Sequence, residues 1–126
     1  TRYEVVVNGA VARAGLWHTL TSLTVDAGNG DDRADAPAAG AARHGVVVRL
    51  RMGPGNDVAF GGPGADDLEG GPGDDVLSGL AGDDTIQGGV GDDQLHGYEG
   101  NDLIFGHDGT DLIGGGSGND VLYGQG

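Results

Sequence analysis

Aspartate recurs every nine residues through the second half of the chain, and this spacing is the strongest chemical signal in the sequence. Residues 52–123 divide without a gap into eight blocks of nine. The sixth place of every block is an aspartate: Asp57, Asp66, Asp75, Asp84, Asp93, Asp102, Asp111 and Asp120. Carboxylates supply hard oxygen donors, so a row of them at a fixed period can bind hard cations such as Ca²⁺ or Mg²⁺.

The residues around each aspartate indicate how it is positioned. The fourth place is glycine in all eight blocks, and the eighth place is apolar in all eight. Glycine adopts a positive φ without a Cβ clash, as a tight turn requires. Neighbouring acids such as Asp74, Asp83 and Asp92 are expected to be solvated. A fixed period of this kind is typical of repeat architectures, in which stacked units bury a shared core.

These blocks, for example GGPGDDVLS (70–78) and GGVGDDQLH (88–96), resemble the nonapeptide repeat of the RTX, or haemolysin-type, calcium-binding proteins. The resemblance covers all eight blocks without interruption. It implies an all-β fold, a parallel β-roll, in which six residues of each nonapeptide form a calcium-binding turn and three form a short strand. Two nonapeptides make one coil, so equivalent residues stack 18 positions apart.

This stacking places the aspartates in two rows. Edge one carries Asp57, Asp75, Asp93 and Asp111, and edge two carries Asp66, Asp84, Asp102 and Asp120. The resemblance implies one ion in each gap between consecutive turns of an edge, bound by the aspartates of both turns. Interior aspartates are therefore shared by two ions. Three gaps on each edge predict about six calcium ions.

Main-chain carbonyls complete each site in the resemblance. The upper turn of a gap supplies the carbonyls of its second and fourth places, and the lower turn those of its first and third. The upper-turn residues are Gly53, Gly55, Gly62, Gly64, Gly71, Gly73, Leu80, Gly82, Gly89, Gly91, Tyr98 and Gly100. The lower-turn residues are Gly70, Pro72, Gly79, Ala81, Gly88, Val90, Gly97, Glu99, Gly106, Asp108, Gly115 and Ser117.

Calcium suits these donors better than other metals do. It accepts six to eight oxygens in irregular geometry, whereas magnesium demands a tight octahedron, and zinc and copper prefer nitrogen or sulfur. The metal should also drive folding. The eight apolar side chains, one in each block, cannot offset the entropy lost by ordering the whole repeat. Stacked carboxylates also repel one another. We expect the repeat to be unfolded without calcium and to fold cooperatively with it.

The N-terminal part continues the coil less regularly. The block AGNGDDRAD (27–35) carries Gly30 and Asp32 at the fourth and sixth places. Asp32 lies seven positions further from Asp57 than one coil requires, which an insertion at 36–42 explains. A seventh calcium ion is expected if the turns of Asp32 and Asp57 also bind one between them. We divide the chain into an N-terminal β-cap and first coil (1–26), a degenerate repeat with an insertion and a strand (27–51), and the calcium-binding β-roll (52–126).

Charge and composition exclude several functions. All six arginines precede residue 52, where five acids leave a net charge of +1, while residues 52–126 carry −15. Nucleic acids and anionic membranes need basic patches, so neither is an expected partner. No apolar run is long enough to span a membrane. The chain has no cysteine and therefore no disulfide or zinc–thiolate site.

Two functions remain open at this point. The resemblance implies a structural calcium-binding module of a secreted bacterial protein, exported unfolded by a type I system and folded at extracellular calcium concentrations. No catalytic signature such as HExxH occurs, so no enzyme activity is expected. The alternative is a calcium-dependent carbohydrate-binding module of a polysaccharide-modifying enzyme or adhesin. Its candidate surface is Arg43, Arg49 and Arg51, and the acidic repeat would repel an anionic polysaccharide unless bound ions neutralise it.

Overall fold

A computed structural model describes residues 3–7, 10–14, 22–36 and 46–125, and within them the regular structure is entirely β-strand. The strands are β1 (Tyr3–Val7), β2 (Ala10–Ala14), β3 (Ser22–Asp26), β4 (Arg33–Asp35), β5 (Val47–Arg51), β6 (Val58–Phe60), β7 (Asp67–Pro72), β8 (Val76–Ala81), β9 (Thr85–Val90), β10 (Gln94–Glu99), β11 (Leu103–Asp108), β12 (Leu112–Ser117) and β13 (Val121–Tyr123).

From β3 onward, successive strands alternate between two sheets. Sheet A has the order β12-β10-β8-β6-β4-β1-β2, and sheet B has the order β13-β11-β9-β7-β5-β3. Strands β3 to β13 pair in parallel within their sheets. Leu77 lies beside Leu95, and Leu68 beside Ile86, so each pairing joins equivalent residues two blocks apart. The predicted parallel β-roll is confirmed.

The register is kept across the predicted insertion. Val25 lies beside Leu50, and Ala34 lies beside Ala59; both pairs are separated by two blocks and the insertion. Seven additional residues between these strands therefore leave both sheets in phase. The insertion itself falls mostly outside the described residues. The domain boundaries after residues 26 and 51 stay a prediction.

An antiparallel hairpin ends sheet A at its N-terminal side. Strands β1 and β2 pair antiparallel, and β1 also pairs antiparallel with β4 through Val6 beside Asp35 and Val7 beside Ala34. The parallel edge of β4 is thus covered by strands of the opposite direction, as the predicted β-cap requires. Covering an edge removes a row of unpaired backbone groups that would otherwise be open to other chains.

The core is a double column of the eighth-place side chains. Side chains alternate between the two faces of a strand, so the eighth place points inward while the seventh and ninth point outward. These core residues are fully buried, and they include Ala59, Leu68, Leu77, Ile86, Leu95 and Ile104. The columns are less covered at the last described rungs, where Ile113 is partly buried and Leu122 is 45% exposed.

The strands are longer than the repeat predicted. Strands β7 to β12 each contain six residues rather than three. They extend through the first three places of the following block, where Gly71, for example, lies beside Gly89. Half of each expected turn is therefore held in the sheets, which fixes its carbonyls relative to the next rung.

Candidate metal sites

The sixth-place aspartates lie in two rows at the ends of the turns and are buried. Asp57, Asp75, Asp84, Asp93 and Asp102 are each at most 1% exposed. In every row the Oδ1 atom of one aspartate accepts a hydrogen bond from the backbone N–H of the aspartate one turn earlier, at 2.7–3.1 Å. These bonds put consecutive carboxylates on one edge, as the 18-residue spacing predicted.

The second carboxylate oxygen has no partner in most turns. The buried and unpaired Oδ2 atoms belong to Asp32, Asp57, Asp75, Asp84, Asp93, Asp102 and Asp111. An ionised oxygen without a partner is costly in a buried position. The pKa of Asp75 and that of Asp84 are accordingly raised to about 7, mainly by burial and in part by neighbouring acids. A cation placed beside these oxygens would remove the penalty.

The first-place glycines allow two oxygen atoms to approach the backbone closely. A Cβ atom added to Gly70 would collide with Asp75 Oδ2 and lie 2.6 Å from the carbonyl oxygen of Gly88. At Gly97 the corresponding atoms are Asp102 Oδ2 and the Gly115 carbonyl oxygen. The free oxygen of one turn and the first-place carbonyl of the next therefore converge on the open side of a glycine. This donor set fits a hard cation.

The second and fourth places have the backbone conformation that the turn requires. Positive φ angles occur at Gly53, Gly55, Gly71, Gly73, Gly82, Gly89, Gly91 and Gly100. They also occur at three non-glycine residues in second places: Leu80 (85°), Tyr98 (81°) and His107 (73°). The turn therefore keeps its left-handed conformation even where the second place carries a larger side chain, although an L-residue is strained there.

Third-place carbonyls already take part in hydrogen bonds between turns. The N–H of Gly73 donates to the carbonyl of Val90 at 2.7 Å, and that of Gly91 to Asp108 at 2.8 Å. Equivalent bonds end on the carbonyls of Pro72, Glu99 and Ser117. A carbonyl oxygen has two lone pairs, so each of these can still accept a metal ion.

The turn at 61–66 differs from the others. Gly62 and Gly64 lack the positive φ of their counterparts. The N–H of Gly62 donates to Asp66 Oδ2 at 2.5 Å, and the N–H of Val48 donates to Asp66 Oδ1 at 2.9 Å. Both oxygens of Asp66 are thus satisfied within the protein. The gap between Asp66 and Asp84 therefore has a different upper turn from the other two gaps of edge two.

The gap between Asp32 and Asp57 follows the regular geometry. Asp57 Oδ1 accepts from the N–H of Asp32 at 2.7 Å, and Asp32 Oδ2 is buried without a partner. The carbonyl of Pro54 accepts from the N–H of Gly30 at 2.8 Å, as third-place carbonyls do elsewhere. The irregular block before the insertion therefore resembles the regular turns in these three features, although its first place is Ala27 and not glycine.

Fifth-place side chains form a second row of contacts, which the sequence interpretation did not foresee. On edge one, Oδ1 of Asp31, Asn56, Asp74 and Asp92 each accepts from the N–H of the fifth-place residue one turn later, at 2.8–3.0 Å. On edge two, Asp83 and Asn101 do the same at 2.8 and 2.9 Å. The recurring Asp or Asn at this place was the available signal, but it was interpreted as solvated acid.

The remaining charged groups do not add a side-chain metal cluster. Within the described ranges, no group of three or more His, Cys, Asp or Glu side chains converges on one point. Any ion in the gaps must therefore draw on main-chain oxygens. Arg49 lies 3.8 Å from Asp67, and Arg51 lies 3.6 Å from Glu69, so neighbouring acids partly neutralise the predicted basic surface. Arg43 lies outside the described residues.

In the repeat, both sheets pair residues that are 18 positions apart, and the turns that join the sheets are lined with carbonyls and buried aspartates. This arrangement defines a parallel β-roll of the calcium-binding type. The family model for the RTX calcium-binding nonapeptide repeat matches the chain in four copies, over residues 53–86, 69–104, 78–113 and 87–122. These matches cover more than half of the chain, which belongs to this family. It is a calcium-binding module of the RTX type.

Other comparisons add no closer relationship. Neither the curated proteins nor the solved structures include a match to the chain. In the part of the chain that the structure describes, no helix has the length and apolar character needed to cross a membrane.

Proposed function

We propose that this module is a non-catalytic folding unit of a secreted bacterial protein, disordered at cytosolic calcium and folded at extracellular calcium. The observation that carries this proposal is the row of buried carboxylate oxygens without partners. Six of them, in Asp32, Asp57, Asp75, Asp84, Asp93 and Asp102, lie above a further turn of the same edge. Each needs a positive charge that the protein itself does not supply.

The proposed ligands are those of the repeat. The sixth-place aspartates would bind through carboxylate oxygens, and the first- to fourth-place residues would bind through carbonyls. About six calcium ions are expected, or seven if both the Asp32 gap and the Asp66 gap are filled. Calcium would supply the neutralising charge, while the chain's own residues hold the turns at a fixed spacing. This chemistry is expected to stabilise the rigid coil against the self-repulsion of its acids.

Binding should be cooperative because adjacent gaps share residues. Asp75, for instance, ends the turn between two gaps of edge one, and its Oδ1 already contacts the turn above. An ion in one gap fixes a turn that also forms half of the next gap. Ligands that bind only the folded state stabilise it by mass action, and linked sites add their contributions.

A calcium titration followed by circular dichroism tests the proposal. In a chelator the chain should show a disordered spectrum, and millimolar calcium should produce a strand spectrum in one cooperative, reversible transition. Small-angle scattering in the same samples should show compaction. A strand spectrum that the chelator leaves unchanged would contradict the coupling of folding to calcium.

The carbohydrate-binding alternative has weaker support. Its candidate surface retains Arg49 and Arg51, but both face acids on the neighbouring strand. A glycan array probed with and without calcium separates the two functions. Calcium-dependent binding to a defined glycan would favour the alternative, and calcium-dependent folding without glycan binding would favour the structural module.

A further inference from the structure

Fifth-place side chains connect consecutive turns in the direction opposite to the sixth-place aspartates. The N–H of Thr110 in the lower turn donates to Asp92 Oδ1 in the upper turn at 2.8 Å. One residue along, the N–H of Asp93 in the upper turn donates to Asp111 Oδ1 in the lower turn at 3.1 Å. Two adjacent residues thus make reciprocal hydrogen bonds, which fix both the spacing and the rotation of one turn on the next.

The fifth-place bonds occur in the same gaps as the unpaired carboxylate oxygens. Six of the seven gaps between consecutive turns have a fifth-place bond. In each of these six, the upper aspartate has a buried Oδ2 without a partner. The correspondence holds on both edges and across the insertion.

The seventh gap lacks both features. Its upper turn has Ala65 at the fifth place, which offers no acceptor to the N–H of Asp83. In this turn Gly62 and Gly64 lose the positive φ, and the N–H of Gly62 donates to Asp66 Oδ2 at 2.5 Å. The carboxylate oxygen that is unpaired in the other turns is here bound within its own turn, although it still lies close to Gly61 together with the carbonyl oxygen of Gly79.

We infer that the fifth-place side chain is a positioning residue for the metal gap beneath it, acting as a hydrogen-bond acceptor and not as a charge. This inference rests on the proposed calcium binding. The acceptor holds the upper turn in the conformation that leaves the sixth-place Oδ2 free. Neutral Asn56 and Asn101 serve as acceptors in the same way as Asp74 and Asp92, which is why charge is not required. The gap between Asp66 and Asp84 is consequently the weakest calcium site in the chain.

Two matched sets of variants test this role. Ala65→Asn supplies the missing acceptor, and Ala65→Leu supplies similar bulk without one. Asp92→Asn keeps an acceptor and removes the charge, whereas Asp92→Ala removes both. Calcium itself is the probe, with stoichiometry and affinity measured by calorimetry. Amide exchange of Gly62 and Asp83 is followed by NMR in the calcium-loaded protein.

Ala65→Asn should strengthen the weakest site by about three- to tenfold, the range expected for one net hydrogen bond, and Ala65→Leu should not. Ala65→Asn should also slow the exchange of the Asp83 amide and speed up that of the Gly62 amide. Asp92→Ala should weaken one site by a similar factor, and Asp92→Asn should restore it. Equal losses in the two Asp92 variants, or equal behaviour of the two Ala65 variants, would overturn the inference. A wild-type chain that neither binds calcium nor folds with it would instead refute the proposed function.

Discussion

Most sixth-place aspartates use their two oxygens for different purposes. One oxygen accepts a backbone hydrogen bond from the turn above, and the other remains buried without a partner. The hydrogen bond contributes to stacking in the absence of metal, whereas the buried and unpaired oxygen opposes stacking. We therefore expect a carboxylate in this position to make the stack depend on a cation, which an asparagine or a serine would not do.

Replacing an interior aspartate should affect more ions than replacing a terminal one. Asp75→Asn keeps the Oδ1 acceptor but lowers the charge of two regular gaps, so about two ions should be lost or weakened. Asp120→Asn, in the last described turn of edge two, should affect about one. Calcium bound per chain, measured by equilibrium dialysis, distinguishes these outcomes. Equal losses would contradict the sharing of aspartates between gaps.

Acidification should partly substitute for calcium in stabilising the folded chain. In the fold the pKa of Asp75 and that of Asp84 are raised from 3.8 to about 7, chiefly by burial. Between these values the folded chain binds more protons than the unfolded chain, so its stability falls as pH rises through this window. The penalty is absent below about pH 3.8 and complete above about pH 7.

The metal-free chain should therefore gain strand structure when it is acidified from about pH 8 to about pH 5. Circular dichroism in chelator at constant ionic strength measures the change. Calcium affinity should fall over the same range, because protons compete for the same oxygens. A metal-free spectrum that stays disordered throughout would show that these carboxylates do not control folding.

At the scale of the strand, the alternation of one inward and two outward places fixes the core. Leu77 in β8 is fully buried between its equivalents in neighbouring rungs, whereas Leu112 in β12 is 60% exposed. The two sites carry the same side chain in the same sheet. They differ in whether the strand places the side chain inside the roll, and Leu112 also lies in the last strand of sheet A.

Leu77→Ala should lower the free energy of unfolding of the calcium-loaded protein by about 2–5 kcal/mol, because it removes packed methyl groups and leaves a cavity. Leu112→Ala should change it by less than about 0.5 kcal/mol. Urea denaturation at fixed calcium measures both values. Similar effects of the two variants would contradict the assignment of the inward face.

The strand pairings show how far the sequence could be interpreted. The resemblance to the RTX repeat implied the parallel roll and its 18-residue register, and the insertion predicted from the spacing of Asp32 and Asp57 agrees with Val25 lying beside Leu50. The six-residue strands were not predicted, since main-chain pairing of glycines leaves no side-chain pattern. The distinct turn at 61–66 also was not predicted, because Gly62 and Gly64 match the repeat and the meaning of Ala65 at the fifth place becomes clear only from the structure.

At the scale of the whole molecule, charge and fold oppose each other. The chain carries a net charge of −14, concentrated in the β-roll, and most of its buried polar side chains are carboxylates. General screening by salt reduces long-range repulsion but does not reach a buried oxygen. Folding should therefore depend on the identity of the cation as well as on ionic strength.

Magnesium and sodium should not induce folding under conditions in which calcium does. At equal ionic strength, MgCl₂ or NaCl should leave the circular dichroism spectrum disordered, while CaCl₂ should give the strand spectrum, because the carbonyl-rich gaps suit a larger and less rigidly hydrated ion. Melting temperatures in the three salts provide a second measurement. A fold induced equally by all three would indicate charge screening as the cause.

The unbroken phase of both sheets across residues 36–42 has a practical consequence. Seven surplus positions alter neither the partner of β3 nor that of β4. This stretch of the sequence is consequently a natural point for grafting a foreign peptide, such as an epitope or a fluorophore-labelled tag. We expect a graft there to leave the described rungs aligned with their neighbours.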